Sequence, residues 1–331
     1  MKTTVKITDV AKKAGVAKST VSNVLTGKKY VSDELKEKVL AACAELDFQP
    51  NFYASALSGH SSKIIALLLE TTDNVERSFY KELIVACLKA ASDRGYSLLL
   101  YYNSDNEKLL NMLRSGSAPI DGAILMSPCV NDSRLNQISA DRIPCVVVGR
   151  PYSEVELNYV DINNEKLVAD VTERLIEQYG KNVYLINSDS SLTISQDREK
   201  SFAAVCAAHG IDGTAHMFES KQSSEEDGYK YSSAVMQNGS VFITANSVLA
   251  AGVYRASAEA GLQIGREVAV FALGRSIEHG KFNPPLSHAE QDYGVLGAKA
   301  VEMLIDEIQN GHTPRRELVE SKISVRMSAT L

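Results

Sequence analysis

The sequence predicts an α/β protein, with a small all-α head of about fifty residues and a large body of parallel sheets in two lobes. Three observations predict it. Apolar residues near the amino end recur at three- and four-residue spacing in three short bursts, the signature of short helices. From about residue 62, strand-sized apolar runs alternate with amphipathic helical stretches, the βαβ pattern of parallel sheets covered on both faces. Charge divides at the same place. The 331-residue chain has net charge −6, yet its first sixty residues hold nine lysines against six acids, which leaves −9 for the remainder. A basic head on an acidic body suits a polyanionic partner for the head alone, although nine lysines also fit a solvated surface.

The first helix is expected over Ile7–Gly15, with Thr8 as N-cap, Asp9 at the positive end and Gly15 as the stop; Ile7, Val10, Ala11 and Ala14 form its buried stripe. A tight turn leads to a second over Ser19–Leu25, where Val21, Val24 and Leu25 face inward and the outer face is small and polar. A third begins after Ser32 and runs through Leu35, Val39, Leu40, Cys43 and Leu46. Two short helices about a glycine-containing turn, propped by a third, make a helix-turn-helix. Serine, threonine and asparagine are poor helix formers, and on the second helix they suit hydrogen bonding to phosphate oxygens or base edges.

The run ITDVAKKAGVAKSTVSNVLTGKKYVSDELKEKVLAACAELDFQPN resembles the DNA-binding head of the lactose-repressor (LacI) family of bacterial transcription factors, and the resemblance continues through the body. The shared elements are D-V-A-x-x-A-G-V, T-V-S-x-V-L-x-G, the start of the third helix and the closing P-N. The resemblance implies that Lys18, Ser19 and Asn23 face base edges, while Thr8, Thr20 and Ser22 hold phosphates. Two departures stand out. Ala17 replaces a usual Ser or Thr, and no arginine precedes Arg77, which removes the strongest bidentate guanine reader. Asn51-Phe52-Tyr53-Ala54-Ser55-Ala56-Leu57 resembles the family's hinge, N-x-x-A-x-x-L. The resemblance puts Asn51, Ala54 and Leu57 in the minor groove, with Leu57 as the wedge; an ordinary linker is the plainer alternative.

In the body, strands are expected at Ile64–Leu69, Ser97–Tyr102, Gly122–Met126, Cys145–Val148, Val183–Asn187, Val241–Thr244, Val268–Ala272 and Lys322–Arg326. Helical stretches are read at Phe79–Arg94, Glu107–Arg114, Ser133–Ser139, Phe202–Ala208 and Val248–Ala260, and around Val301–Ile308. The resemblance implies a two-lobed, periplasmic-binding-protein-like body with crossings near 150–162, 284–292 and 312–322. The expected organisation is a helix-turn-helix domain at 1–50, a hinge at 51–61, and an effector-binding and dimerisation domain at 62–331. Within the last, one lobe takes about 62–150 and 291–315, the other about 160–286 and 318–331.

Ligands of open α/β sheets lie beyond the carboxyl ends of strands, so an effector belongs in the cleft. The family's R-x-x-G-F matches Arg198 to Phe202, which makes Arg198 the leading ligand contact; a surface ion pair is the alternative. Phe79, Tyr80 and Asn246 match further ligand positions of the family, together with Arg150 and Asn163, which equally fit a structural role at the crossover, while Arg275 is a candidate contact that departs from the family pattern. Gly274 and Asn163 stand where relatives carry aspartates. With Arg275 added, the expectation is a less negative cleft and a ligand with an anionic group, such as a sugar phosphate.

No Walker A, G-x-G-x-x-G, G-x-S-x-G or H-E-x-x-H motif occurs, and the six histidines are isolated. The expectation is therefore no catalytic residues, no metal and no cofactor. Five cysteines without C-x-x-C spacing, a polar amino terminus and no apolar run of spanning length suit a cytoplasmic protein without membrane contact. The closing R-x-S match at Arg326–Ser328 is followed by no leucine heptad, so a homodimer is expected, with the helix around Tyr80–Ala91 as either dimer face or core face. The function implied is a transcriptional regulator, a repressor in most of the family. It would bind a pseudo-palindromic double-stranded operator under control of a sugar or sugar phosphate. A solute-binding receptor sharing the body is the alternative, disfavoured by the head.

Overall fold

The computed structural model describes residues 5–26, 29–48, 61–69, 77–102, 106–115, 117–274 and 282–331. These form two units, Met1–Ser62 and Lys63–Leu331.

The first unit holds α1 (Ile7–Ala14), α2 (Lys18–Thr26) and α3 (Asp33–Glu45). Its core is small: Val10, Ala11, Val21, Val39 and Ala42 are buried, with Ile7, Ala14, Val24, Leu25, Cys43 and Leu46 packed around them. Leu40, expected inside, is half exposed, and Ala42 takes its place because the inner stripe of α3 runs through Val39, Ala42, Cys43 and Leu46. The start of α1 also differs from expectation. Lys6 is the N-cap, and Asp9 reaches back to accept its N–H at 2.8 Å, so Thr8 lies inside the first turn. Gly15 ends the helix at φ +67°, a left-handed value that a side chain would resist.

The second unit has two six-stranded sheets. The first contains β1 (Ile64–Leu69), β2 (Ser97–Tyr102), β3 (Gly122–Met126), β4 (Cys145–Val148), β5 (Asn158–Ile162) and β11 (Arg316–Val319), in spatial order β11-β5-β4-β3-β1-β2, all parallel. The second contains β6 (Val183–Asn187), β7 (Met217–Glu219), β8 (Val241–Thr244), β9 (Ala269–Ala272), β10 (Ser287–Glu290) and β12 (Lys322–Ser324), in order β12-β10-β9-β8-β6-β7, with β12 antiparallel.

Helices cover both faces of each sheet, as parallel strands buried on both sides require. On the first sheet lie α4 (Arg77–Asp93), α5 (Asn106–Ser115), α6 (Ser133–Ala140) and, late in the chain, α11 (Tyr293–Asn310). On the second lie α7 (Asn164–Tyr179), α8 (Thr193–Ala208), α9 (Glu225–Val235) and α10 (Ser247–Glu259).

The chain passes between lobes at Asn163, at Gln291–Asp292 and at Glu320–Ser321, each lying between an element of one sheet and an element of the other. The stretch expected as a crossing over 150–162 instead contains β5, which pairs with β4 and β11 inside the first sheet. Likewise β11 belongs to the first sheet beyond residue 315. Asn163 joins two crossings: its N–H donates to Val319 O at 3.0 Å and its Nδ2 to Glu320 at 3.1 Å.

Candidate functional site

In the head, α2 carries the candidate reading face. Lys18 and Ser19 are exposed at its start, and Asn23 lies one turn beyond Ser19 on the same side, half-buried. Thr20 and Ser22 flank them, half-buried, and Thr8 is exposed on α1. Inward packing of Val21, Val24 and Leu25 fixes which side of α2 faces out. Ala17 ends the turn before α2; its carbonyl accepts from Thr20 and Val21, but its methyl group can cap nothing. The first N–H groups of α2 are therefore left to outside acceptors such as solvent. Asn51, Ala54 and Leu57 lie outside the described residues.

In the body, the carboxyl ends of both sheets converge on a buried polar cluster. Arg198 on α8 is 4% exposed, and its Nε has no hydrogen-bond partner among the described residues. Burial pushes its pKa down to about 10, against the attraction of Tyr293, Asp161 and Asp197. Asp161, next to the end of β5, is also buried. It accepts the N–H groups of Ile162 at 2.7 Å and Arg150 at 3.0 Å, yet burial still raises its pKa to about 6. Asp197 is 2% exposed and accepts a hydrogen bond from the Tyr152 hydroxyl; burial raises its pKa as well. Arg150 Nη1 lies 3.0 Å from Glu165 and 4.0 Å from Asp197. Tyr293 donates to Gln291 Oε1 at 2.6 Å, and Gln291 Nε2 donates to Leu273 O at 2.9 Å, tying the second crossing to the end of β9.

The structure thus brings Arg198 and Arg150 into one network. Asn163 instead caps α7 by accepting from Lys166 N at 3.2 Å while its amide holds Glu320, which is the crossover role. Asn246 caps α10, accepting from Leu249 N at 3.0 Å. Phe79 and Tyr80 stand in the first turn of α4, their side chains outside what is described, and Arg275 falls outside the described residues.

Sequence reasoning missed Asp161, Asp197 and Tyr152. The expected loss of carboxylates is corrected by this geometry: Gly274 and Asn163 do lack them, but Asp161 and Asp197 bring two to Arg198 from other positions. The adjacent Asp197-Arg198 pair was the available signal, since two opposite charges on an otherwise inward-facing helical turn demand a polar interior.

Comparison with known families separates the same two parts. Residues 6–51 match the model of bacterial regulatory proteins of the lacI family, and residues 172–329 match a periplasmic binding protein-like domain. The chain belongs to the lacI family. Among curated relatives of this lacI-family protein, the ribose operon repressor of Haemophilus influenzae is 27% identical over 94% of each chain. The transcriptional repressor PurR of Pasteurella multocida is 25% identical over 95% of each.

Solved structures give the same architecture. A lac repressor dimer bound to operator and an anti-inducer aligns at TM-score 0.80 and 23% identity, covering 98% of this chain and 99% of that one. A CelR–cellobiose complex aligns at TM-score 0.73 and 23% identity, covering 98% and 100%. The protein is a DNA-binding transcriptional regulator of this family. Among the described residues, no helix is long and apolar enough to cross a membrane, and no group of three or more His, Cys, Asp or Glu is arranged to hold a metal ion.

Proposed function

We propose that this regulator is a repressor that binds a pseudo-palindromic operator as a homodimer, and that a sugar or sugar phosphate in the cleft controls its affinity. Lys18, Ser19 and Asn23 read bases, and Thr8, Thr20 and Ser22 hold phosphates, so that each head takes one half-site in the major groove. Asn51, Ala54 and Leu57 serve the minor groove between half-sites. Both named relatives are repressors, one of them of a ribose operon, which supports the direction of control.

Arg198 carries the effector reading. A buried guanidinium whose Nε finds no partner among the described residues costs free energy unless something completes it, and a ligand hydroxyl or carboxylate oxygen does so. Asp161 and Asp197 already offset its charge, which favours hydroxyl groups at this point and puts any phosphate elsewhere on the ligand. Arg150, Phe79, Tyr80, Arg275 and the amide of Asn246 complete the set, while Asn163 is engaged within the protein. Effector binding moves the equilibrium between lobe arrangements by its differential affinity for them, typically about 1–3 kcal/mol.

Homodimerisation is supported by α4 and β2. The core face of α4 holds Leu83, Cys87 and Ala91, while Val85 and Leu88 are exposed on its other side. Edge strand β2 is uncharged and exposes Leu99, Leu100 and Tyr102, an edge that soluble proteins normally cover.

A thermal-shift panel of sugars and sugar phosphates tests the effector reading. A positive compound raises the melting temperature of the wild type, leaves that of Arg198→Met unmoved, and changes operator affinity in the wild type alone. Equal shifts in both proteins would remove Arg198 from the site.

A further inference from the structure

Two first-lobe loops grip one short stretch of the second lobe. After β3, Val130 N donates to Ser191 O at 2.7 Å, and Pro128 O accepts from both the N–H and the hydroxyl of Thr193 at 3.1 Å. Cys129 and Leu192 face each other as an antiparallel pair within this clasp. After β4, Tyr152 reaches the fifth and eighth residues of α8, the helix that begins at Thr193: its hydroxyl donates to Asp197 and accepts from Lys200 Nζ at 3.1 Å, and that ammonium also lies 4.5 Å from the centre of the Tyr152 ring.

We propose that Tyr152, Asp197 and Lys200 form a latch that sets how readily the cleft opens, with the backbone clasp as the contact that opening must break. A paired stretch as short as the clasp is marginal by itself. The latch adds a buried carboxylate, and that decides the matter. Asp197 is 2% exposed, so losing the phenol leaves a desolvated carboxylate short of a donor until separation of the lobes admits water. Lys200 holds the phenol in place twice, through its hydroxyl and its ring face.

Asp197 also adjoins Arg198. A ligand hydroxyl that bonds Asp197 therefore competes with Tyr152, so ligand and latch draw on one carboxylate. This last step rests on the cleft being the effector site; the latch itself does not.

Hydrogen exchange of the full-length protein, read by mass spectrometry on peptides spanning 128–132 and 190–195, tests the latch. Tyr152→Phe keeps the ring over Lys200 and removes the donor. It accelerates exchange in both peptides about tenfold, the worth of one hydrogen bond to a charged group, while peptides of β3 and β6 keep their wild-type rates. Lys200→Ala, at an exposed position, accelerates the same two peptides to a smaller extent. Unchanged rates at 128–132 and 190–195 in both variants overturn the latch, as does equal acceleration in β3 and β6. The readout needs neither DNA nor effector, so failure of the latch and failure of the effector reading are separate results.

Discussion

Asp161 accepts two backbone N–H groups and still holds its proton up to about pH 6, because burial outweighs those bonds. Its folded pKa lies above the ordinary 3.8, so between those values the folded state binds more protons than the unfolded one. Stability from this group is therefore fully present below pH 4 and falls as pH rises towards 6, by about 3 kcal/mol in all. Asp161→Asn abolishes that slope. Denaturant titrations at pH 4.5 and pH 7 should show the variant gaining on the wild type at the higher pH; parallel behaviour would mean that the carboxylate ionises normally.

In the head, Asn23→Ala should cost about 1–3 kcal/mol and relax preference at one operator position, as quantitative binding to single-base operator variants will show. Lys12 is an exposed cation on α1 outside the candidate base readers, so Lys12→Ala should instead weaken all duplexes alike and flatten the salt dependence. The outward side of α2 was legible in sequence because the inward stripe of a short periodic helix fixes it. The cluster around Arg198 was only half legible. Arg198 could be found by its motif spacing, but Asp161 and Asp197 act through a juxtaposition of β5 and α8 that no local pattern encodes.

At the scale of elements, apolar content decided what could be read. The buried runs at β1, β3, β4, β6 and β8 declare themselves, since both faces of each strand are covered. β11 alternates exposed and half-buried residues at the sheet edge, and β10 is Ser-His-Ala-Glu, buried through Ala289, whose Ser287 is satisfied by Ser328, Arg326 and Ala329, so neither carries an apolar run. β10 leads into the second crossing and β11 into the third, so no apolar run marks where either crossing begins, and the third falls at the late end of the expected 312–322. The 3–4 spacing of Leu167, Val168, Val171, Leu175 and Ile176 does mark α7. The α9–α10 crossing depends on missing side chains. A Cβ at Gly252 would lie 2.1 Å from Glu225 O and 2.3 Å from Tyr229 N, and one at Gly228 2.1 Å from Leu249 O. Gly252→Ala must force the helices apart and should cost about 1–3 kcal/mol, measurable as a lower melting temperature with unchanged operator specificity.

For the whole molecule, the division of charge and the division of labour coincide. The lysine-rich first sixty residues contain the DNA-binding helices, and the acidic remainder contains the cleft and the exposed apolar face of α4 and β2. An acidic body repels DNA, so productive contact is confined to the heads, and two heads held together select a symmetric site. Selection of duplexes from a random library by the full-length protein tests this most directly. The account predicts enrichment of a two-fold symmetric sequence, bound about a thousandfold or more tightly than random competitor, with all enrichment lost in a chain that begins at Lys63. Recovery of unenriched duplexes by the full-length protein, or equal enrichment by the headless chain, would contradict it.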